Sequence, residues 1–395
     1  MSVAELTGEF GSPLWLADVD RFAGNIRAFA AAWRSRWPVT RIAYSYKTNR
    51  LPAFLQATEE AGALAEVAGV AEYELAAGAA ETDPANIVVD GPAKPDRLLA
   101  RAGAGGALVL VDSAAELARA AAAGVRRVGL RVALDSFTGA RTRFGIPPAE
   151  ISAAARAAAD VGLAVEALST HLVSTDLDPE TGRVVVSWPR SAGEYAAAAA
   201  LLATLAEELA DDGRPIATID LGGGFPSAAA TGEHARAVSC ALRAHGFAGE
   251  LVLEPGRALV ADAVDLAFSV VAVKTLAGGE RCLICDAGTN FLPGALTSPP
   301  RLEAPNVCGA TAPVLVTGPL CLNVDVIHPH AELPPVSPGD VLVARAVGAY
   351  QQSASTQFGE APPRVLYREG GRWTAADPAR DDVFTTVCKS ERGAT

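Results

Sequence analysis

Residues 87–132 read IVVDGPAKPDRLLARAGAGGALVLVDSAAELARAAAAGVRRVGLRV, and the punctuation of this stretch is regular. Short apolar, β-branched runs at Ile87–Asp90, Leu108–Val111 and Arg127–Val132 have strand character. Between them lie Lys94–Ala102 and Ala114–Ala122, rich in the Ala, Leu, Glu and Arg that suit helices. The same alternation extends in both directions. Strand-like runs occur earlier at Ile42–Lys47 and Ala63–Ala68, and later at Val165–Leu172, Ile216–Leu221 and Leu251–Glu254. Helical segments fill the intervals at Leu51–Ala61, Val70–Ala77, Pro148–Val161, Ala192–Ala210 and His234–Ala244. Eight strands before residue 260 match a closed parallel (β/α)8 barrel. A doubly wound open sheet would carry a Gly-rich turn after its first strand, and none follows Lys47.

After Ala261 the texture changes. Leu266–Lys274, Arg281–Cys285, Val314–Val316, Val341–Ala346 and Arg364–Arg368 are short β-like runs set between Gly and Pro clusters. The expected architecture is therefore α/β: a TIM-like barrel over residues 20–262, with a mostly antiparallel β domain from residues 1–19 and 263–395. The Pro13–Ala17 run joins that second sheet from the other end of the chain.

Composition narrows the partners. The 395 residues hold 33 Lys and Arg against 45 Asp and Glu, a formal charge of −12, which disfavours a nucleic-acid footprint. The longest near-apolar stretch, Ala196–Ala206, is too short to span a bilayer and reads as a buried helix. Met1 to Phe10 lacks the basic start and apolar core of a signal peptide, so a cytoplasmic protein with no membrane partner is expected. Six cysteines are too sparse for a disulfide framework. Cys240, in a helical pattern, reads as a small buried hydrophobe, and Cys282 and Cys285 lie in a strand-like run where positions three apart face opposite ways. His328 and His330, with Pro329 between them, look like a surface turn. No cluster has metal-ligand spacing, and no metal is expected.

Polar residues at the carboxyl ends of the barrel strands are the ones to collect, because that face carries the chemistry of such barrels. Lys47 ends the first strand in Tyr44-Ser45-Tyr46-Lys47-Thr48-Asn49, where an amine that is partly desolvated can form a Schiff base. His171 closes the sixth strand, placed to stack on a flat cofactor, with the Ser174 hydroxyl nearby. The seventh runs into Asp220-Leu221-Gly222-Gly223-Gly224-Phe225-Pro226, whose glycines let backbone N–H groups approach an anion. The eighth ends in Glu254-Pro255-Gly256-Arg257, with an acid for a ring nitrogen and a guanidinium for phosphate. Beyond the barrel, Gly318-Pro319-Leu320-Cys321-Leu322-Asn323-Val324-Asp325 sets a thiol among turn residues. Each feature alone has a plain structural reading. Together they form the inventory needed to hold pyridoxal 5′-phosphate.

In these motifs, and in Asp286-Ala287-Gly288 and Gly348-Ala349-Tyr350, the chain resembles the fold-type III pyridoxal-phosphate decarboxylases, the group of the diaminopimelate, ornithine and arginine enzymes. The motifs follow the family's order and span nearly the whole chain. The resemblance implies Lys47 as the Schiff-base lysine, His171 stacked on the ring and Glu254 at the pyridinium nitrogen. Ser174, Gly222, Gly223, Gly224, Gly256, Arg257 and Tyr350 then bind the phosphate end. Cys321 becomes the proton donor, with Leu322, Asp325 and Asp286 beside the substrate. It further implies a homodimer in which the cysteine loop comes from the second subunit.

The departures are equally specific. Leu322 stands where the family usually has an acid for the substrate's distal amine, which argues against a diamine-type substrate. Thr289-Asn290-Phe291-Leu292-Pro293-Gly294 lacks the arginine and tyrosine of the diaminopimelate enzymes. Val173 replaces a common glycine, and Asp178–Arg190 is an extra segment. The expected reaction is decarboxylation at Cα of an amino acid or derivative, including a modified or carrier-tethered one of the kind natural-product pathways use. The rivals are an amino-acid racemase on the same scaffold and a cofactor-binding protein that has lost catalysis.

Overall fold

The computed structural model describes residues 1–376, so the last part of the expected β domain, residues 377–395, lies outside the described residues. Within it the chain divides into two compact units, one of residues 23–259 and one of residues 1–22 with residues 260–376.

The first unit is a closed barrel of eight parallel strands in chain order. They are Thr40–Ser45, Leu64–Val67, Ile87–Val89, Leu108–Val111, Arg127–Arg131, Ala164–Leu172, Thr218–Gly223 and Glu250–Glu254. The eighth closes on the first through Leu251↔Thr40, Val252↔Arg41 and Leu253↔Ile42. All eight expected strands are present, with no end shifted by more than two residues.

Because side chains alternate along a strand, every second residue points into the barrel. Ala43, Leu64, Val88, Leu108, Leu110, Ala167 and Val252 make one apolar cluster there. Two residues further along, toward the carboxyl ends, the same inward positions are Ser45, Glu66, Asp90, Asp112, Ser169 and Glu254, each of them buried. Asp220, paired in register with Ser169 and Val252, and Arg131, also paired with Ser169, belong to this polar layer. A dry apolar floor thus carries a ring of charge.

Helices cover the outside of the barrel. Ala192–Asp211 is capped by Ser191 and Glu194 in a reciprocal capping box and buries Tyr195, Ala199, Leu202, Ala206 and Leu209. The helix Gly232–Ala244 buries His234, Ala235, Val238, Ser239 and Leu242. Cys240 lies on the opposite side of that helix and is exposed, which corrects its reading as a buried hydrophobe. Two residues from Val238 is about 200° around a helix, so the thiol turns outward. Among the described residues no helix is long and apolar enough to cross a membrane.

The other unit is built on a nine-stranded, mostly antiparallel sheet. Leu14–Asp18 pairs antiparallel with Val264–Thr275 and parallel with Arg364–Glu369, so segments far apart in the sequence meet in one sheet. His328 and His330 stand in a strand, Val326–Leu333, and not in a surface turn. That strand is at the sheet edge, and its register with Ala312–Thr317 slips between Val314↔Ala331 and Val316↔His328, which accommodates Pro329. The extra segment after the sixth barrel strand is a small hairpin, Thr175–Leu177 with Val184–Val186.

Candidate active site

Lys47 lies in the turn just beyond the first barrel strand, flanked by the buried Tyr46, Thr48 and Asn49. Its Nζ donates to Oε2 of Glu66 at 2.7 Å. Glu66 is the inward residue of the second strand, and burial pushes its carboxyl above the ordinary value although Lys47 pulls it down. From the sixth and eighth strands, Nδ1 of His171 and Oε2 of Glu254 come to 3.6 Å of each other, just beyond hydrogen-bond reach. Burial, reinforced by Lys47 and Arg131, holds the imidazole neutral, with its pKa pushed down to about 3. Burial also raises the Glu254 carboxyl to about 7, with Asp90 adding to the shift.

Arg131 is the counter-charge of the layer. Its Nη1 lies 3.1 and 3.0 Å from the two oxygens of Asp90, and 3.8 Å from Asp112. Against the burial of Asp90, Arg131 together with Lys47 and the Gly91 amide keeps that carboxyl below its ordinary value. Asp90, His171 and Glu254 each bring one ligand-type atom to within 4.8 Å of the others, but Arg131 and Lys47 already answer the charge. Asp220 sits beneath with 0% exposure and no hydrogen bond to either oxygen. Burial and the neighbouring Glu254 raise its carboxyl far above the usual range, which makes it a neutral acid.

The glycine turn fits around these groups. A Cβ on Gly222 would run into Glu254 and His171, and one on Gly224 would lie 3.1 Å from Ser174 Cβ. Gly223 has φ +109°, a backbone region that side chains disfavour. Phe225, the next residue after the turn, anchors it, stacking on Tyr195 with ring centroids 4.3 Å apart and meeting Phe29 and Trp33 edge-on. A Cβ on Gly256 would run into Thr48, so the Glu254-Pro255-Gly256-Arg257 turn closes onto the first strand's end. Lys47, His171, Ser174, Gly222, Gly223, Gly224, Glu254, Gly256 and Arg257 therefore all stand at the carboxyl ends of the first, sixth, seventh and eighth strands.

These residues fit pyridoxal 5′-phosphate. Glu254 Oε1 and His171 Nδ1 are buried without a hydrogen-bond partner, which leaves a carboxylate for a ring N–H and an uncharged imidazole for a ring face. The glycines leave open the space that side chains would fill.

The other expected residues lie in the second unit. The Asp325 carboxylate is buried and ties its own loop to the one after Arg281–Cys285, accepting from Thr289 N at 2.7 Å, Thr289 Oγ1 at 2.9 Å and Leu320 N at 2.8 Å. It presents no carboxylate at the loop surface. The loop instead exposes Cys321, Leu322 at 46% and Val324 at 62%. Asp286 is half-buried and accepts from Ser269 N at 2.8 Å, tying two strands of the sheet. Tyr350 has φ +65° and stands 37% exposed at the start of the short helix Gln351–Ala354.

Glu66, Asp90, Arg131 and Asp220 escape a reading by motif. Each is a single charge in or beside an apolar run. For Glu66 and Asp90 the signal that finds it is the two-residue alternation from the inward Leu64 and Val88, whereas Arg131 and Asp220 follow Gly129 and Thr218 and carry no such signal.

Residues 23–261 match the family model described as the pyridoxal-dependent decarboxylase, pyridoxal binding domain. Diaminopimelate decarboxylase of Deinococcus radiodurans is 29% identical over 391 residues, covering 92% of each chain. The chloroplastic ornithine decarboxylase of Nicotiana glutinosa is 29% identical over 374 residues, covering 88% of this chain and 81% of its own. In fold, the chain is like the crystal structure of diaminopimelate decarboxylase from Helicobacter pylori complexed with L-lysine. The TM-score is 0.84 at 22% identity, over 98% of this chain and 100% of that one.

Proposed function

The chain belongs to the pyridoxal-dependent decarboxylases, and from that premise we propose that it removes CO2 from Cα of an amino acid or amino-acid derivative without a distal cation, giving the amine. The observation that carries this reading is the convergence of Lys47, neutral His171 and buried Glu254 at one barrel mouth. Bound there, pyridoxal 5′-phosphate supplies a sink for the electron pair left when the Cα–carboxylate bond breaks.

The chain's own part is attachment and proton placement. Lys47 presents Nζ as the point of covalent attachment, and Glu66 beside it takes the proton the amine must lose to become a nucleophile. His171 offers an uncharged face to the ring. Glu254 accepts the ring nitrogen's N–H in a site where burial strengthens the bond. Ser174, the side-chain-free turn Gly222-Gly223-Gly224, the close turn at Gly256 and the Arg257 guanidinium suit the phosphate end. Tyr350 joins them on the strength of the family's motif, and Cys321 delivers the proton to Cα after CO2 has left. The active unit on this reading is a homodimer in which one copy's Cys321 loop completes the other copy's barrel mouth.

The substrate class rests on the same loop. Leu322 and Val324 are exposed beside Cys321, and Asp325, the acid of that loop, is turned inward. An apolar, modified or carrier-tethered side chain suits such a surface, whereas a free distal ammonium finds no partner on it.

A panel of amino acids and acylated derivatives, incubated with the protein and pyridoxal 5′-phosphate in deuterium oxide, tests the proposal. CO2 release with one deuterium at the amine carbon is expected. Exchange at Cα without CO2 would make the protein a racemase instead, and cofactor binding with neither would make it a non-catalytic carrier.

A further inference from the structure

The hairpin after the sixth strand returns to the barrel at the glycine turn. Its stem is fixed by Ser187 N donating to Ser174 O at 2.9 Å. Trp188 Nε1 then donates to the Phe225 carbonyl at 2.8 Å, and Arg190 N to the Gly224 carbonyl at 2.9 Å. The return leg is thus bonded to the two residues that end the turn. The Arg257 guanidinium carbon lies 5.3 Å from the centre of the Trp188 ring, within cation–π range.

Arg190 is buried, 7% exposed, although its side chain is charged. It pairs with Glu194 through Nη2 and lies 4.5 Å over the Phe137 ring. Its Nε is buried without a hydrogen-bond partner. That nitrogen is bonded to Cδ, which would stand 3.6 Å from a Cβ on Gly224, the same position that would lie 3.1 Å from Ser174 Cβ. A buried N–H lacking an acceptor, beside a hydroxyl and a glycine turn, suits an anion.

We infer that the inserted hairpin supplies part of the phosphate cradle, Arg190 donating Nε–H to the phosphate and Trp188 acting as a positioning residue that holds Arg257 toward it. The inference rests on the proposal that the phosphate binds at the glycine turn, and goes beyond it by assigning two residues outside the motifs that carry the family resemblance.

Equilibrium binding of pyridoxal 5′-phosphate and of pyridoxal, which lacks the phosphate, to full-length protein stripped of cofactor tests it without any turnover. Arg190→Gln should weaken pyridoxal 5′-phosphate on the order of tenfold or more, as for a lost hydrogen bond to a charged group. Trp188→Leu should weaken it about threefold and Trp188→Phe restore it, as for a cation–π contact. Pyridoxal should bind all variants as it binds the parent. Should Arg190→Gln fail to fold, Arg190→Lys carries the same test, since it keeps the charge without an Nε–H at that place. Equal weakening of both ligands would reduce the hairpin to a structural role and overturn the inference, as would unchanged binding of both. A parent protein that binds the two ligands equally well would refute the phosphate site itself, and that outcome is visible before any variant is made.

Discussion

Lys47 Nζ lies 2.7 Å from Glu66 Oε2, and the other Glu66 oxygen is buried with no hydrogen-bond partner. Burial raises the Glu66 carboxyl, so this acid is a readier proton acceptor for the lysine than a solvated one. Glu66→Gln keeps shape and removes that basicity. Its attachment to pyridoxal 5′-phosphate, followed by absorbance and by borohydride fixation at Lys47, should be slower by on the order of 10²-fold. Lys47→Ala should give no fixed adduct at all. An unchanged attachment rate in Glu66→Gln would remove Glu66 from the chemistry.

Glu254 sets a pH dependence with a definite sign. Its carboxyl is raised from 4.5 to about 7, so between those values the folded chain holds a proton that the unfolded chain has released. The stabilisation is complete below pH 4.5 and is lost as pH rises through about 7. His171, lowered from 6.5 to about 3, acts oppositely: its contribution is lost as pH falls below 6.5 toward 3. Of these two groups, only Glu254 still contributes above pH 7. Cofactor-free Glu254→Gln should therefore exceed the parent in stability at pH 8 by about 3 kcal/mol, and match it near pH 4.5. Denaturant titration at the two pH values measures the difference, and a constant offset at both would refute the assignment.

Arg131 lies between Asp90 and Asp112, all three buried. Arg131→Met strands two carboxylates in a low-dielectric layer, at an expected cost of about 3–5 kcal/mol. Arg131→Met combined with Asp90→Asn should recover part of that loss, because one stranded charge is removed. A double variant no more stable than Arg131→Met would show that the pair is not coupled.

The barrel was legible in the sequence because each strand is a short apolar run between helix-forming segments, and a few residues' error at a boundary leaves the count intact. The motif residues were legible because a strand's carboxyl end is where its run stops, as at Lys47, His171 and Glu254. The other charged members of the buried polar layer were not. Asp90 and Arg131 look like polar edges of their runs, and only the closed geometry shows that they share one dry layer. Val326–Leu333 was hidden for another reason. Pro329 between two histidines has the composition of a turn, and an edge strand with slipped register tolerates it.

The Cys321 loop is held by Asp325, so the thiol's position should survive its own truncation. Cys321→Ala should fold and bind cofactor as the parent does, yet release a mixture of amine and aldehyde, since protonation at Cα becomes slow or misdirected. Mass spectrometry of the products distinguishes the two. An unchanged yield of amine would leave the proton to Lys47.

Leu322 carries the sharpest statement about the substrate. Its side chain is exposed, it follows the thiol directly, and Asp325 cannot serve in its place because Thr289 and Leu320 already occupy that carboxylate. Leu322→Asp introduces a charge on a surface loop without creating a cavity, so the fold should tolerate it. If this residue meets the far end of the substrate, the variant should gain activity toward amino acids with a distal ammonium, such as ornithine or lysine. It should lose activity toward the apolar or acylated substrate proposed for the parent. A charge-assisted bond contributes about 1.5–3 kcal/mol, so the ratio of kcat/KM for the two classes should move by on the order of tenfold to a hundredfold. The expected change lies in KM for the distal ammonium and not in the rate of CO2 release at saturation, because the proposal puts Leu322 at recognition and not at Cα. A ratio unmoved by Leu322→Asp would separate this loop from the substrate's side chain and refute the proposed substrate class.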